Sequence, residues 1–183
     1  MGHYYLDIET NGLNPVRDQI LTIQYQELDR FKGYPKGPLK ILKTWEEGCS
    51  EKKIISDIAP LLLQSDPFIF VPVGNNLVFD FKFIASKLQQ HLSLDVDTLY
   101  FLNRPHLDLK HVLILINGGN FKGYHNILGK SNDGKKIPEW YSNQEYTKII
   151  QYVKSEATSF TNMCTKLQQL LPTLFSRRID EFV

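Results

Sequence analysis

Hydrophobic and polar positions alternate along the N-terminal part of the chain, and helical spacing then takes over. Tyr4-Tyr5-Leu6-Asp7-Ile8-Glu9-Thr10 is an apolar, strand-forming run into which two acids are set. Successive side chains on a strand point to opposite faces, so Asp7 and Glu9 share a face with Tyr5 while Leu6 and Ile8 take the other. Asn11-Gly12-Leu13-Asn14-Pro15 ends this strand as a turn, and Gln19 to Leu28 resumes an extended pattern through Ile20, Leu21, Ile23 and Tyr25. A second strand therefore returns beside the first. Gly33, Pro35, Gly37 and Pro38 mark Asp29 to Pro38 as a loop, and Leu39 to Trp45 reads as a third strand, so three antiparallel strands open the fold.

Ser50 followed by Glu51 starts a helix in which Ile54, Ile55, Ile58, Leu61 and Leu62 recur at helical spacing, with Pro60 marking a kink or an early end. Phe68-Ile69-Phe70-Val71 has the composition of a buried strand. A helix from near Leu77 carries Phe79, Phe83, Ile84 and Leu88. The order strand, helix, strand, helix implies parallel strands joined by crossovers, hence an α/β domain with a mixed sheet. His106-Leu107-Asp108-Leu109 predicts a short fifth strand leading into a helix near Lys110 to Ile116, which Gly118-Gly119-Asn120 interrupts; Ser131 to Lys136 reads as an exposed loop. A final helix is predicted from Asn143 to Leu171, where Ile149, Val153, Glu156, Phe160, Met163, Leu167 and Leu170 follow spacings of four and three. Glu156 thus occupies a slot in a buried stripe, and Tyr152, four residues earlier, shares its face.

At 183 residues and 42% hydrophobic, one domain spanning 1–183 is expected. The 21 basic and 20 acidic side chains leave a formal charge of +1, so no chain-wide positive field drives indiscriminate binding to nucleic acid. Between Arg104 and Lys154, eight Lys or Arg stand against four acids, a local excess that fits a solvated surface or a phosphate-tracking patch. Cys49 and Cys164 make no C-x-x-C pair, and with His3, His91, His106, His111 and His125 they show no zinc-finger spacing. No apolar stretch reaches the roughly 20 residues that span a bilayer, so a soluble, cytoplasmic protein with no membrane partner is expected.

Carboxylates on a core strand lose hydration and repel each other, which calls for a cation, a shared proton or an open cleft. Asp7 and Glu9 therefore read as a metal site, or else as an acidic edge strand facing water. Asp80 stands in Gly74-Asn75-Asn76-Leu77-Val78-Phe79-Asp80 at a helix start, where the dipole alone would favour an acid. Glu156 reads as an ion-pair partner or a metal ligand, and Asp108 as a helix N-cap or a site residue. Oxygen-only ligands favour Mg2+ or Mn2+. Four carboxylates can hold two such ions about 4 Å apart, an arrangement suited to phosphodiester cleavage.

Together and in order, these segments resemble the DEDD-type 3′-5′ exonucleases of the ribonuclease H-like superfamily. The D-x-E-T motif and its following turn match Asp7-Ile8-Glu9-Thr10 and Gly12-Leu13; the asparagine before F-D matches Asn76 and Phe79-Asp80; the Y-x-x-x-D motif of the tyrosine (DEDDy) subgroup matches Tyr152 to Glu156. His106-Leu107-Asp108-Leu109 is similar to the H-x-D-L segment of family B DNA polymerase exonuclease domains. The resemblance implies a ribonuclease H-like five-stranded mixed sheet flanked by helices, with Asp7, Glu9, Asp80 and Glu156 binding two divalent cations, Mg2+ or Mn2+. It implies that Tyr152 orients the attacking water and that Thr10, Leu13, Asn76 and Phe79 lie around the terminal nucleotide at the 3′ end of a single strand.

Two positions depart from the pattern. Glu156 replaces the expected aspartate, and its extra methylene moves the carboxylate by about one bond length, where metal geometry is demanding. Asn75 stands where many relatives carry histidine. His125 does not serve a histidine-type motif, because position 130 is Lys130. A catalytically weakened nucleic-acid-binding or scaffold module, and an endonuclease of the same superfamily, are the competing functions. A protein partner that recruits the domain is a further expectation.

Overall fold

The strand that carries the two acids is the central strand of the sheet. β1 (His3–Thr10) pairs antiparallel with β2 (Ile20–Leu28), which sets Asp7 opposite Gln24 and Glu9 opposite Thr22. β3 (Lys40–Lys43) continues antiparallel from β2. On the other side β4 (Val71–Gly74) runs parallel to β1, and β5 (Leu107–Asp108) parallel to β4, giving the order β3-β2-β1-β4-β5. The computed structural model describes residues 2–119 and 133–179.

The strand alternation delivers a core to each face of this mixed sheet. Leu6 and Ile8 join Ile20 and Ile23 beneath α1 (Glu51–Leu62), α2 (Leu77–Leu92) and α3 (Thr98–Leu102). Tyr5, Leu28 and Val73 form the other core with α4 (Leu109–Ile116) and the long helix α6 (Tyr146–Ile179), where Tyr5 packs on Phe160 at 4.8 Å between ring centroids. Between them lies α5 (Ile137–Ser142), started by Pro138 in its first turn. Among the described residues no helix is long and apolar enough to cross a membrane.

Several elements differ from the sequence pattern for identifiable reasons. β4 begins where the expected strand Phe68 to Val71 ends. Asp66 holds a turn there, its side chain accepting from Phe68 N at 2.9 Å and its carbonyl from Ile69 N at 3.3 Å, and it leaves Phe68 and Ile69 exposed. β4 ends on Gly74, where a Cβ would lie 2.8 Å from the Leu6 carbonyl oxygen and close against the Leu77 side chain. The helix α3 is an addition, capped by Asp97, which accepts from Tyr100 N at 2.9 Å. Part of the expected loop is a 3-10 turn, Asp133–Lys136, although Lys135 and Lys136 are exposed as anticipated. The last helix starts at Tyr146, because Gln144 takes a left-handed conformation (φ 58) that breaks helix propagation from α5.

The stripe on α6 buries Ile149, Val153, Phe160, Met163 and Leu167 as its spacing predicts. Its middle slot, however, is filled by Ala157, and Glu156 stands half-buried at the margin. His125, Lys122, Lys130, Asn120, Ser131, Asn132 and the side chain of Leu170 lie outside the described residues.

Candidate active site

Asp7 is held from two strands. Tyr5, two residues back on the same face, donates its hydroxyl to Asp7 Oδ2 at 3.1 Å, and Gln24 across the antiparallel pair donates Nε2 to the same oxygen at 2.7 Å. Gln24 is fixed in turn by the Thr22 hydroxyl, which donates to its Oε1 at 2.9 Å. Thr22 and Gln24 are fully buried, so this relay excludes water from behind Asp7. Sequence reasoning passed over both residues. Their signal was present in the polar alternation Thr22-Gln24-Gln26 on a strand set to pair with the acids.

Asp80 reaches the same place from the first turn of α2. It is 3% exposed, and its Oδ1 accepts from Ile8 N at 3.0 Å, which ties the helix start to β1. Burial, and next the negative charge of Asp7, push its carboxyl well above the ordinary range, against the pull of the two backbone N–H groups it accepts from; Asp108 adds a smaller push in the same direction. Two carboxylates from distant segments thus stand close enough to repel each other, which is the electrostatic condition that a bound cation relieves.

The geometry gives Asp108 a capping role. Its carboxylate accepts from Lys110 N at 3.0 Å as the N-cap of α4, and also from Asn76 N at 2.8 Å and Leu77 N at 2.9 Å at the start of α2. One buried side chain therefore satisfies orphan N–H groups of two helices. Asn76 sits at the α2 N-cap in a left-handed conformation (φ 67) that asparagine tolerates better than most residues, and its Oδ1 accepts from Lys110 Nζ at 2.9 Å.

The opposite wall is α6. Tyr152 hydrogen-bonds Glu156 one turn on, as their spacing requires, and its hydroxyl pKa is raised by burial first, then by the charges of Glu9, Glu156 and Asp7. That order places the phenol among the acids of β1 and its own helix. Trp140 packs on Tyr152 with centroids 6.4 Å apart, and the backbone of Gly134 lies so close over the ring that a Cβ would come within 2.8 Å of Oη. Gly134 is a neighbour that its loop-like sequence did not disclose. Among the described residues no three His, Cys, Asp or Glu side chains form a ready-made metal cage. The acids stand as the Asp7–Asp80 pair, with Glu9 and Glu156 ranged around Tyr152.

The remaining sequence candidates flank this opening. Thr10 donates its hydroxyl to the Gly12 carbonyl at 2.6 Å, Leu13 projects from the following turn with 82% of its surface exposed, and Phe79 packs half-buried against Phe83 at 4.9 Å. These three belong to the end of β1, the turn after it and the start of α2, the segments that also carry Asp7 and Asp80.

Comparison with known proteins places the fold. A family model described as RNase_H superfamily matches residues 4–161. No curated protein matches the chain. Among solved structures it is similar to E. coli exonuclease I in complex with a dT13 oligonucleotide, with a TM-score of 0.64 and 12% identity over 96% of this chain and 43% of that one. The zinc-ion-bound E. coli exonuclease I–ssDNA complex gives 0.65 and 12% over 96% and 42%. A moderately thermophilic exonuclease I from Methylocaldum szegediense gives 0.51 and 18% over 63% and 29%. The chain spans less than half the length of these proteins, and the likeness is one of fold. The family match runs from β1 through the part of α6 that bears Tyr152 and Glu156, and the chain belongs to the RNase H superfamily.

Proposed function

We propose that the chain is a metal-dependent 3′-5′ exonuclease of the DEDD type, tyrosine subgroup, acting on single-stranded nucleic acid. The observation that supports this most is the placement of Asp80, buried beside Asp7 and anchored to the Ile8 N–H, so that its ionised form is disfavoured until a positive charge arrives. The donors are oxygen only, which suits hard divalent ions, Mg2+ or Mn2+. Asp7, Glu9, Asp80 and Glu156 would hold two of them, and such ions supply an activated water and stabilise the leaving oxygen in phosphodiester cleavage.

The residues of the chain do the rest. Gln24 and Tyr5 fix the rotamer of Asp7, so that the carboxylate needs little reorganisation. Burial and the charges of Glu9, Glu156 and Asp7 raise the Tyr152 hydroxyl above its ordinary range, which favours the protonated phenol, and Tyr152 acts as a hydrogen-bond donor that orients the attacking water rather than as a base. Leu13 offers an exposed apolar edge that separates the terminal bases, and the half-buried ring of Phe79 offers a stacking surface; Thr10 and Asn76 border the same nucleotide. The single strands in the exonuclease I structures named above support the substrate class.

The test is a single strand labelled at its 5′ end, incubated with Mg2+ or Mn2+. Stepwise shortening with release of nucleoside monophosphates, abolished in Asp7→Asn, is expected; internal cuts would overturn the exonuclease assignment. A second reading, a nucleic-acid-binding module with weakened catalysis, is favoured by the engagement of Glu156 with Tyr152. Binding without cleavage in either metal would select it.

A further inference from the structure

Glu9, Thr22 and Lys43 stand opposite one another on β1, β2 and β3. Directly paired residues on antiparallel strands share a face, and strands lie about 4.8 Å apart, so this row leads about 10 Å from the acids toward the sheet edge. It ends at a groove of about 410 Å3 between the exit of β3 and the start of α6, lined in part by Lys43, Trp45, Tyr146, Gln151 and Lys154.

The groove has a braced aromatic wall. Trp45 and Tyr146 stack with centroids 4.8 Å apart and planes at 6°, and Tyr141 backs both rings at 6.0 and 5.9 Å. Both rings are half-buried, which leaves part of each facing the groove. Charge is arranged unevenly around them. Lys43 is paired with Glu46 and Lys148 with Glu145, whereas the exposed Lys154 has no ion-pair partner among the described residues. The first turn of the 34-residue helix α6 adds the positive end of its dipole.

We infer that this groove is a second nucleotide subsite, holding an internal base of a single strand against Trp45 and Tyr146 and a phosphate at Lys154 while the strand's end lies at the acids. The inference rests on the exonuclease reading. A rigid aromatic face accepts any base, an unpaired ammonium accepts phosphate, and about 10 Å accommodates roughly three nucleotides at ~3.4 Å per stacked nucleotide. A peptide would instead seek the main-chain groups along the β3 edge, which this wall does not present.

The experiment measures binding of oligothymidylate and oligouridylate of about ten residues, within the usual single-strand site size, with chelator present to keep them intact. It is paired with hydrolysis of a dinucleotide in Mn2+, which is too short to reach the groove. Trp45→Ala should weaken binding of at least one oligomer by about 5- to 150-fold, with a smaller loss for Trp45→Phe. Lys154→Gln should flatten the salt dependence by about 0.7 in log–log slope. Dinucleotide hydrolysis should be unchanged in all three. Unchanged affinity and salt slope in every variant would overturn the subsite, as would a fall in dinucleotide hydrolysis that matches the loss of oligomer binding. Wild-type protein that binds the oligomers through Trp45 yet cleaves nothing would overturn the exonuclease reading and uphold the groove.

Discussion

Replacing Asp108 tests how the fold delivers Asp80 to its place. The carboxylate accepts three backbone N–H bonds, at 2.8, 2.9 and 3.0 Å, from the starts of α2 and α4, and it is 8% exposed. Loss of one N-cap costs about 1 kcal/mol and at most about 2, and donors left buried without a partner cost about 1–3 kcal/mol each where water cannot reach them. Relief of the like charge on Asp80 offsets a part. For Asp108→Ala the balance is a loss of about 3 kcal/mol, which in a domain of this size lowers the melting temperature by roughly 6–12 °C. Asp108→Asn retains one acceptor oxygen and should lose less. Urea unfolding followed by circular dichroism, with calorimetry alongside, measures both. A loss for the alanine variant below about 1 kcal/mol, the cost of a single ordinary cap, would refute the double-cap account. Abolished cleavage at unchanged stability would instead move Asp108 into the chemistry.

Three further outcomes follow from the site. The raised carboxyl of Asp80 favours its protonated form in the fold, so its contribution to stability is present below the ordinary carboxylate pKa and is lost as pH rises through the raised value. Asp80→Asn keeps an acceptor for Ile8 N and removes the charge; without cations it should melt above wild type at neutral pH and converge with it in acid, and Mn2+ should stabilise wild type alone. Calorimetry at two pH values decides this, and a variant that melts below wild type at neutral pH would contradict it. Asp7→Asn preserves acceptors for Gln24 and Tyr5, whereas alanine would strand the buried Gln24 amide; it should lower the rate of end-labelled strand degradation by at least ~100-fold with little change in the urea midpoint. Glu156→Asp should raise the Mg2+-dependent rate in the same assay if the extra methylene holds the carboxylate back against Tyr152; an unchanged or lower rate would show that glutamate suits this helix.

The first two strands, and the face that Asp7 shares with Tyr5, were legible because burial imposes strict alternation. Asp7 and Glu9 share a face with Tyr5, and the antiparallel return of β2 follows from the turn at Asn11 to Pro15. The position of β4 was not legible, because Pro72 and Gly74 carry loop signals although Gly74 makes room for the Leu6 carbonyl and the Leu77 side chain. The role of Asp108 was ambiguous because a cap and a ligand have the same local spelling, and its second helix lies 31 residues away in sequence. Glu156 misled in a different way. Spacings of three and four around it fit the stripe, but 3.6-residue periodicity let Ala157 take the buried slot.

The contact between Tyr5 and Phe160 has a temporal meaning. β1 supplies its acids first, and Tyr152 and Glu156 belong to a helix that is synthesised about 145 residues later. At about 5–20 residues per second the interval is roughly 7 to 30 s. During that time the growing chain carries half of the candidate site, because the helix that faces the acids has not yet been made. A protein of this design that cleaves single strands would be unable to attack the message being translated into it until α6 had been made.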